Sequence, residues 1–154
     1  MDWRRLLFSY KGRINRAKYW LGFLIQIGIS TLVVLVFITI NVVSPLLGGI
    51  CGLILFAVVI WSWFAINTKR LHDRDKSGWF LLVFWGLPLI LGTLETVAQQ
   101  NDNNSLQIIC ALGETAIGIW MFIELGCLRG TPGTNRFGPD PLGSPVPAGT
   151  GPAS

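Results

Sequence analysis

The chain has 154 residues, of which 51% are hydrophobic and only 13% charged, where an ordinary soluble domain carries about 25% charge. With a mean hydropathy of +0.56, this excludes a typical soluble fold and points to lipid as the solvent. The formal net charge is +4, and all twelve Lys and Arg flank apolar runs, which argues for membrane threading rather than nucleic-acid binding.

Residues 1–18 form a basic segment. If residues 3–10 are helical, Trp3, Leu6, Leu7 and Tyr10 share one face that Ile14 extends, with Arg4, Arg5 and Lys11 around it. That pattern suits a short helix in the membrane interface, its cations toward anionic headgroups. A disordered basic arm is the alternative. Gly12 marks the bend into the first span. The following apolar run is longer than the roughly 7–15 residues of a signal-peptide core, and no small-x-small cleavage site follows. It reads as a retained span.

No charged residue occurs between Lys18 and Lys69. A bilayer core takes about 20 apolar residues per helix, so the interval predicts two spans, at 19–42 and 47–67. Ser44, Pro45, Gly48 and Gly49 are expected to make the turn between them, and Gly48 with Gly52 permits close helix approach. The second helix is expected to run past the lipid, aligning Arg70, Asp73 and Arg74 at i, i+3 and i+4. Asp75 or Ser77 can then cap a third span at 79–96, which Pro88 should kink. A polar loop rich in Asn and Gln follows.

The fourth span, 106–128, contains Glu114 and Glu124. An ionised carboxylate at a span centre costs on the order of 3 kcal/mol. Glu124 lies near the basic end and can reach its cations; Glu114 is deeper and should face other helices, neutral or paired. Six of the eight prolines fall after Leu128, so 129–154 has the composition of a Gly/Pro-rich tail. The membrane domain is then 19–128.

Charge sets the expected threading. Six Lys/Arg precede the first span, four lie between Lys69 and Lys76, and Arg129 and Arg136 follow the fourth, while the two opposite loops have none. The positive-inside rule places both termini and the 70–79 loop in the cytoplasm. The expected fold is all-α: a polytopic four-transmembrane-helix bundle of a plasma membrane, with both termini inside.

Three motifs share that basic face: KGRINRAKYW at 11–20, RLHDRDKSGW at 70–79 and RGTPGTNRFGPDP at 129–141. In this order they resemble the YhaH-like bacterial inner-membrane family (domain of unknown function 805), over residues 6 to about 142. The family pattern falls on Gly12, Arg13, Arg16, Tyr19 and Trp20, then on Arg70, Leu71, His72, Asp73, Ser77, Gly78 and Trp79. It closes on Gly130, Gly133, Asn135, Phe137, Gly138 and Pro141. The resemblance implies a small multi-pass inner-membrane protein and no defined activity, and attaches no role to Asp75 or Lys76.

Chemistry narrows the function further. One histidine with scattered carboxylates does not make a metal site, and no nucleophile, base and orienting group occur together. Neither catalysis nor a cofactor is expected. Cys51, Cys110 and Cys127 lie in apolar runs without CxxC spacing and read as small buried hydrophobes. The expected ligand-binding set is Arg13, Arg16, Arg70, His72, Asp73, Arg74, Asn135 and Arg136, converging on an anionic phospholipid headgroup or a partner protein. The same charges also suit a solvated ion-pair cluster that only holds the loop. Tail residues 131–141 are expected to fold back under the bundle, with Asp73, Asp140 and Glu124 between the arginines. The alternative function is a subunit of an oligomeric small-solute or ion transporter. It would use Glu114, with Gln26, Ser30 and Thr93 as neighbours on a polar path. The expected partners are the lipid bilayer, with its anionic phospholipid, and a second copy or another membrane protein; nucleic acid is not among them.

Overall fold

The computed structural model describes residues 2–143, and every regular element in that range is helical. Helix α1, Trp3–Phe8, starts where the Asp2 carboxylate accepts the Arg5 amide, and stops at Ser9. The helix predicted over 3–10 is therefore shorter, and Gly12 makes the bend with φ +88°, a conformation glycine adopts without Cβ strain. Helix α2, Arg16–Val43, is capped by the Asn15 side chain, which accepts the Lys18 amide.

Helix α3, Pro45–Asp73, follows after a single residue, Ser44. Proline suits the first turn of a helix because its missing N–H has no intrahelical partner there. Gly48 and Gly49 consequently lie inside α3, not in the predicted turn. Gly48 serves packing, as does Gly52: a Cβ at Gly48 would strike Asn41, and one at Gly52 would strike Phe37, whereas a Cβ at Gly49 would meet nothing. As expected, α3 outruns its apolar stretch and carries Arg70 and Asp73 on its last turn. Helix α4, Phe80–Gln100, contains Pro88 and receives no side-chain cap. Ser77 accepts the Trp79 amide instead, and Asp75 turns to Arg136. Helix α5, Asn104–Phe122, ends in a π-helical turn, Ile123–Cys127.

Four helices are long and apolar enough to cross a membrane: Arg16–Val43, Pro45–Asp73, Phe80–Gln100 and Asn104–Cys127. They form two hairpins, α2 against α3 and α4 against α5, which touch each other sparingly. The shared core joins them at the basic end, where Leu6, Ile14, Tyr19, Ile66, Leu71, Leu81, Phe84 and Leu125 are buried. Toward the opposite end the helices leave Val42, Val43, Leu46, Leu53 and Leu89 more than two-thirds exposed. In water such surface would drive aggregation; in a bilayer it is the lipid-facing side.

Candidate functional site

Asp73 is the hub on which all three motifs meet. Its side chain is 4% exposed, and it bonds Arg70 Nη1 at 2.5 Å and Arg13 Nη2 at 3.2 Å. Those two guanidinium side chains are 0% and 1% exposed, so these ion pairs are buried, unlike the solvated cluster weighed as the alternative to a binding site. Two buried cations need a counter-charge and acceptors for their remaining donors. The third motif supplies acceptors to Arg13 through the carbonyls of Thr131 (2.6 Å) and Gly133 (2.7 Å). Gly130 lies so close that any Cβ would overlap the Asp73 carboxylate.

The π turn serves Arg70. A helix end leaves carbonyls without intrahelical donors, and the wider turn aims a series of them inward. Leu125 O accepts Arg70 Nε at 2.7 Å, and Leu128 O accepts Arg70 Nη2. Gly126 O accepts the Trp20 indole at 3.2 Å, and Cys127 O accepts Arg16 Nη1 at 3.0 Å. Glu124, on the same turn, is buried and holds Arg74 at 3.0 Å and Lys76 at 2.9 Å. It is the expected basic-end carboxylate with named partners.

Residues 129–143 do fold back, as a hook. Thr131 donates its amide to Asp73 O at 2.8 Å, and Asn135 Nδ2 donates to His72 O at 2.9 Å. Phe137 stacks on the His72 ring at 3.8 Å, and the Arg136 guanidinium covers Phe137 at 4.8 Å while pairing with Asp75. Asp140 accepts the amides of Leu142 and Gly133, and these bonds hold its carboxyl below the usual range. Asp140 thus braces the hook rather than reaching an arginine side chain. Residues 144–154 of the tail lie outside the described residues.

All eight expected site residues are therefore brought together, and each carries a side-chain bond within the motifs or to the π turn. His72 contributes its stack on Phe137 and an Nδ1 contact to Gly12 O at 3.3 Å. No group of three metal-ligating side chains occurs among the described residues. Sequence reasoning missed Lys69, 3% exposed, whose ammonium donates to the Arg5 and Leu6 carbonyls. By sequence it counted only as one of four cations between Lys69 and Lys76. Sequence reasoning also gave no ion-pairing role to Asp75 and Lys76, which pair with Arg136 and Glu124.

The intramembrane polar residues separate. Gln26 is fully buried; it donates to Val59 O at 3.1 Å and accepts Ser62 Oγ at 2.9 Å, which closes the α2–α3 hairpin. Glu114 is half-buried, its Oε1 3.2 Å from where a Cβ on Gly92 would stand, and no ion pair to it forms among the described residues. Thr93 bonds its own helix at Ile90 O. Of the three free thiols Cys110 is buried and Cys51 half-buried; Cys127 is exposed, because it ends the π turn.

Comparison with known proteins agrees with this architecture. The family model described as "Protein of unknown function (DUF805)" matches residues 7–139, which takes in the first two motifs and all but the last two residues of the third. The chain is 32% identical to inner membrane protein YhaH of Escherichia coli K12 over 152 residues, 92% of this chain and 97% of that protein. It is 30% identical to the uncharacterized protein YiiR, covering 91% and 90%, and 26% identical to inner membrane protein YhaI, covering 86% of each, both from the same strain. No solved structure matches it. With four apolar helices and a match across nearly its whole length, the chain belongs to the DUF805 family and is an integral membrane protein.

Proposed function

We propose that this chain is a non-enzymatic inner-membrane protein, with both termini and the 70–79 loop in the cytoplasm, whose basic face holds anionic phospholipid headgroups. The observation that carries this reading is a division of labour among the cations. Arg13, Arg70, Arg74, Lys76 and Arg136 are paired with Asp73, Glu124 and Asp75. Arg4, Lys11, Arg16, Lys18 and Arg129 are exposed and form no ion pair among the described residues. The paired set, with His72 and Asn135, acts as a rigid frame. The exposed set, together with the outward side of Arg136, faces the headgroups. Polybasic surface at a membrane gains about 1 kcal/mol per Lys or Arg from anionic lipid.

Thermal unfolding in nanodiscs tests this. Phosphatidylglycerol added to phosphatidylcholine should raise the midpoint, and native mass spectrometry should find anionic lipid retained through purification. No difference between the two compositions would overturn the reading.

Glu114 favours a second reading, an oligomeric transporter. A mid-span carboxylate with no ion partner is expensive in lipid and commonly marks a solute or proton path. A second copy would have to cover the α4–α5 face.

A further inference from the structure

Lys69 poses a separate problem. Its ammonium is buried at 3% exposure, its two protein partners are neutral carbonyls, and no carboxylate pairs with it among the described residues. A buried charge is costly unless it meets a counter-charge. An ammonium has three donors, and the Arg5 and Leu6 carbonyls take only two of them.

Lys69 lines a cavity of about 220 Å³ between α1 and the starts of the motif segments. Arg5, Lys11, Arg13 and Lys18 line it too, against a single carboxylate, Asp2. That carboxylate is spent on Arg5, in a pair whose side chains are 86% and 55% exposed and which therefore screens little. The cavity is smaller than the roughly 300 Å³ at which pockets for drug-sized ligands begin, so it suits one small anionic group. Its surroundings are those of a membrane interface. Trp3 and Phe8 of α1 are half-exposed, the Trp61 indole donates to Phe8 O, and Tyr10 Oη donates to Trp61 O. Aromatic side chains of this kind sit at headgroup level.

We propose that this cleft binds one phosphate group, presented by an anionic phospholipid, with Lys69, Lys11 and Lys18 as its ligands. The inference rests on the headgroup-binding reading and gives it a defined, saturable site. Lys69 supplies a fixed buried charge. Lys11 and Lys18 close over the phosphate from the solvent side, and the acyl chains leave past Trp3 and Phe8.

The test uses the full-length protein in phosphatidylcholine nanodiscs, with phosphatidylglycerol or inorganic phosphate added at matched ionic strength. Lipid adducts are counted by native mass spectrometry and the unfolding midpoint is followed. The parent should take up one phosphatidylglycerol saturably and gain stability. Lys11→Gln/Lys18→Gln removes two charge-assisted bonds and should weaken that binding about tenfold or more. Arg4→Gln/Arg129→Gln removes equal charge from headgroup-facing positions outside the cleft and should lower only the diffuse, non-saturating uptake, with far less than a tenfold effect on the saturable lipid. Lys69→Gln should lose the lipid-dependent gain; if it fails to fold, the Lys11/Lys18 pair decides alone. Protection by inorganic phosphate with no further effect of phosphatidylglycerol would keep the site and make its ligand soluble phosphate. Equal, graded losses in both double variants would overturn the site and leave diffuse attraction standing. No effect of either probe on the parent would overturn both readings.

Discussion

Asp73 carries two buried guanidinium groups whose other nitrogens rest on carbonyls from segments more than 50 residues away. Asp73→Asn keeps the shape and the acceptor oxygen but leaves both cations without a counter-charge. Breaking a buried pair in this way costs about 3–5 kcal/mol, and the same applies to Arg70→Gln, which also leaves the Leu125 and Leu128 carbonyls in altered company. Both variants should unfold at clearly lower temperature in detergent, whether or not anionic lipid is added. An Arg70→Gln protein of normal stability that merely lost its lipid response would instead make Arg70 a ligand-binding group. Gly130 belongs to the same unit, because its missing Cβ is the space the carboxylate occupies.

Among the helices, the α2–α3 hairpin is sealed by Gly22 against Ile66, by Gln26 against Val59 and Ser62, and by Gly52 against Phe37. Small residues let helix backbones approach where lipid provides no hydrophobic drive for association. In that seal Gln26 donates one amide hydrogen to Val59 O and accepts from Ser62, both within the α2–α3 hairpin. The α4–α5 hairpin keeps Glu114 beside Gly92. Glu114→Gln retains the volume and removes the ionisable group, and no ion pair to Glu114 forms among the described residues. Its thermal stability should therefore stay within about 1 kcal/mol of the parent, the ordinary range for a substitution that breaks no network. A large loss would show Glu114 ionised and paired across a second copy, as the transporter reading requires.

For the whole molecule, the two hairpins share one core and one clamp at the basic end. The three motifs bear on the same end of the helices, so the charge asymmetry and the fold agree. Cysteines placed at Asp2, Asp75 and Asp102, in a variant lacking Cys51, Cys110 and Cys127, test the threading directly. An impermeant thiol reagent added to intact cells should modify position 102 only. Position 102 labelled exclusively from the cytoplasmic side would end the four-span arrangement.

The four spans were legible because lipid imposes a one-dimensional rule: about 20 apolar residues per crossing, with cations gathered at one set of ends. The motif-to-motif meeting was legible too, since threading returns all three segments to one face and the glycines and prolines near Asn135 favour a turn back. What lay beyond the sequence was the fate of each charge. Arg70 and Arg129 both read as a basic residue bordering an apolar run, yet one is fully buried and the other exposed. Lys69 and Lys18 differ in the same way. Burial of Arg70 depends on a π turn that redirects the Leu125 and Leu128 carbonyls, and burial of Arg13 on a carboxylate 60 residues away. Such pairings are set by where helix ends meet in space, and only the tertiary structure decides them.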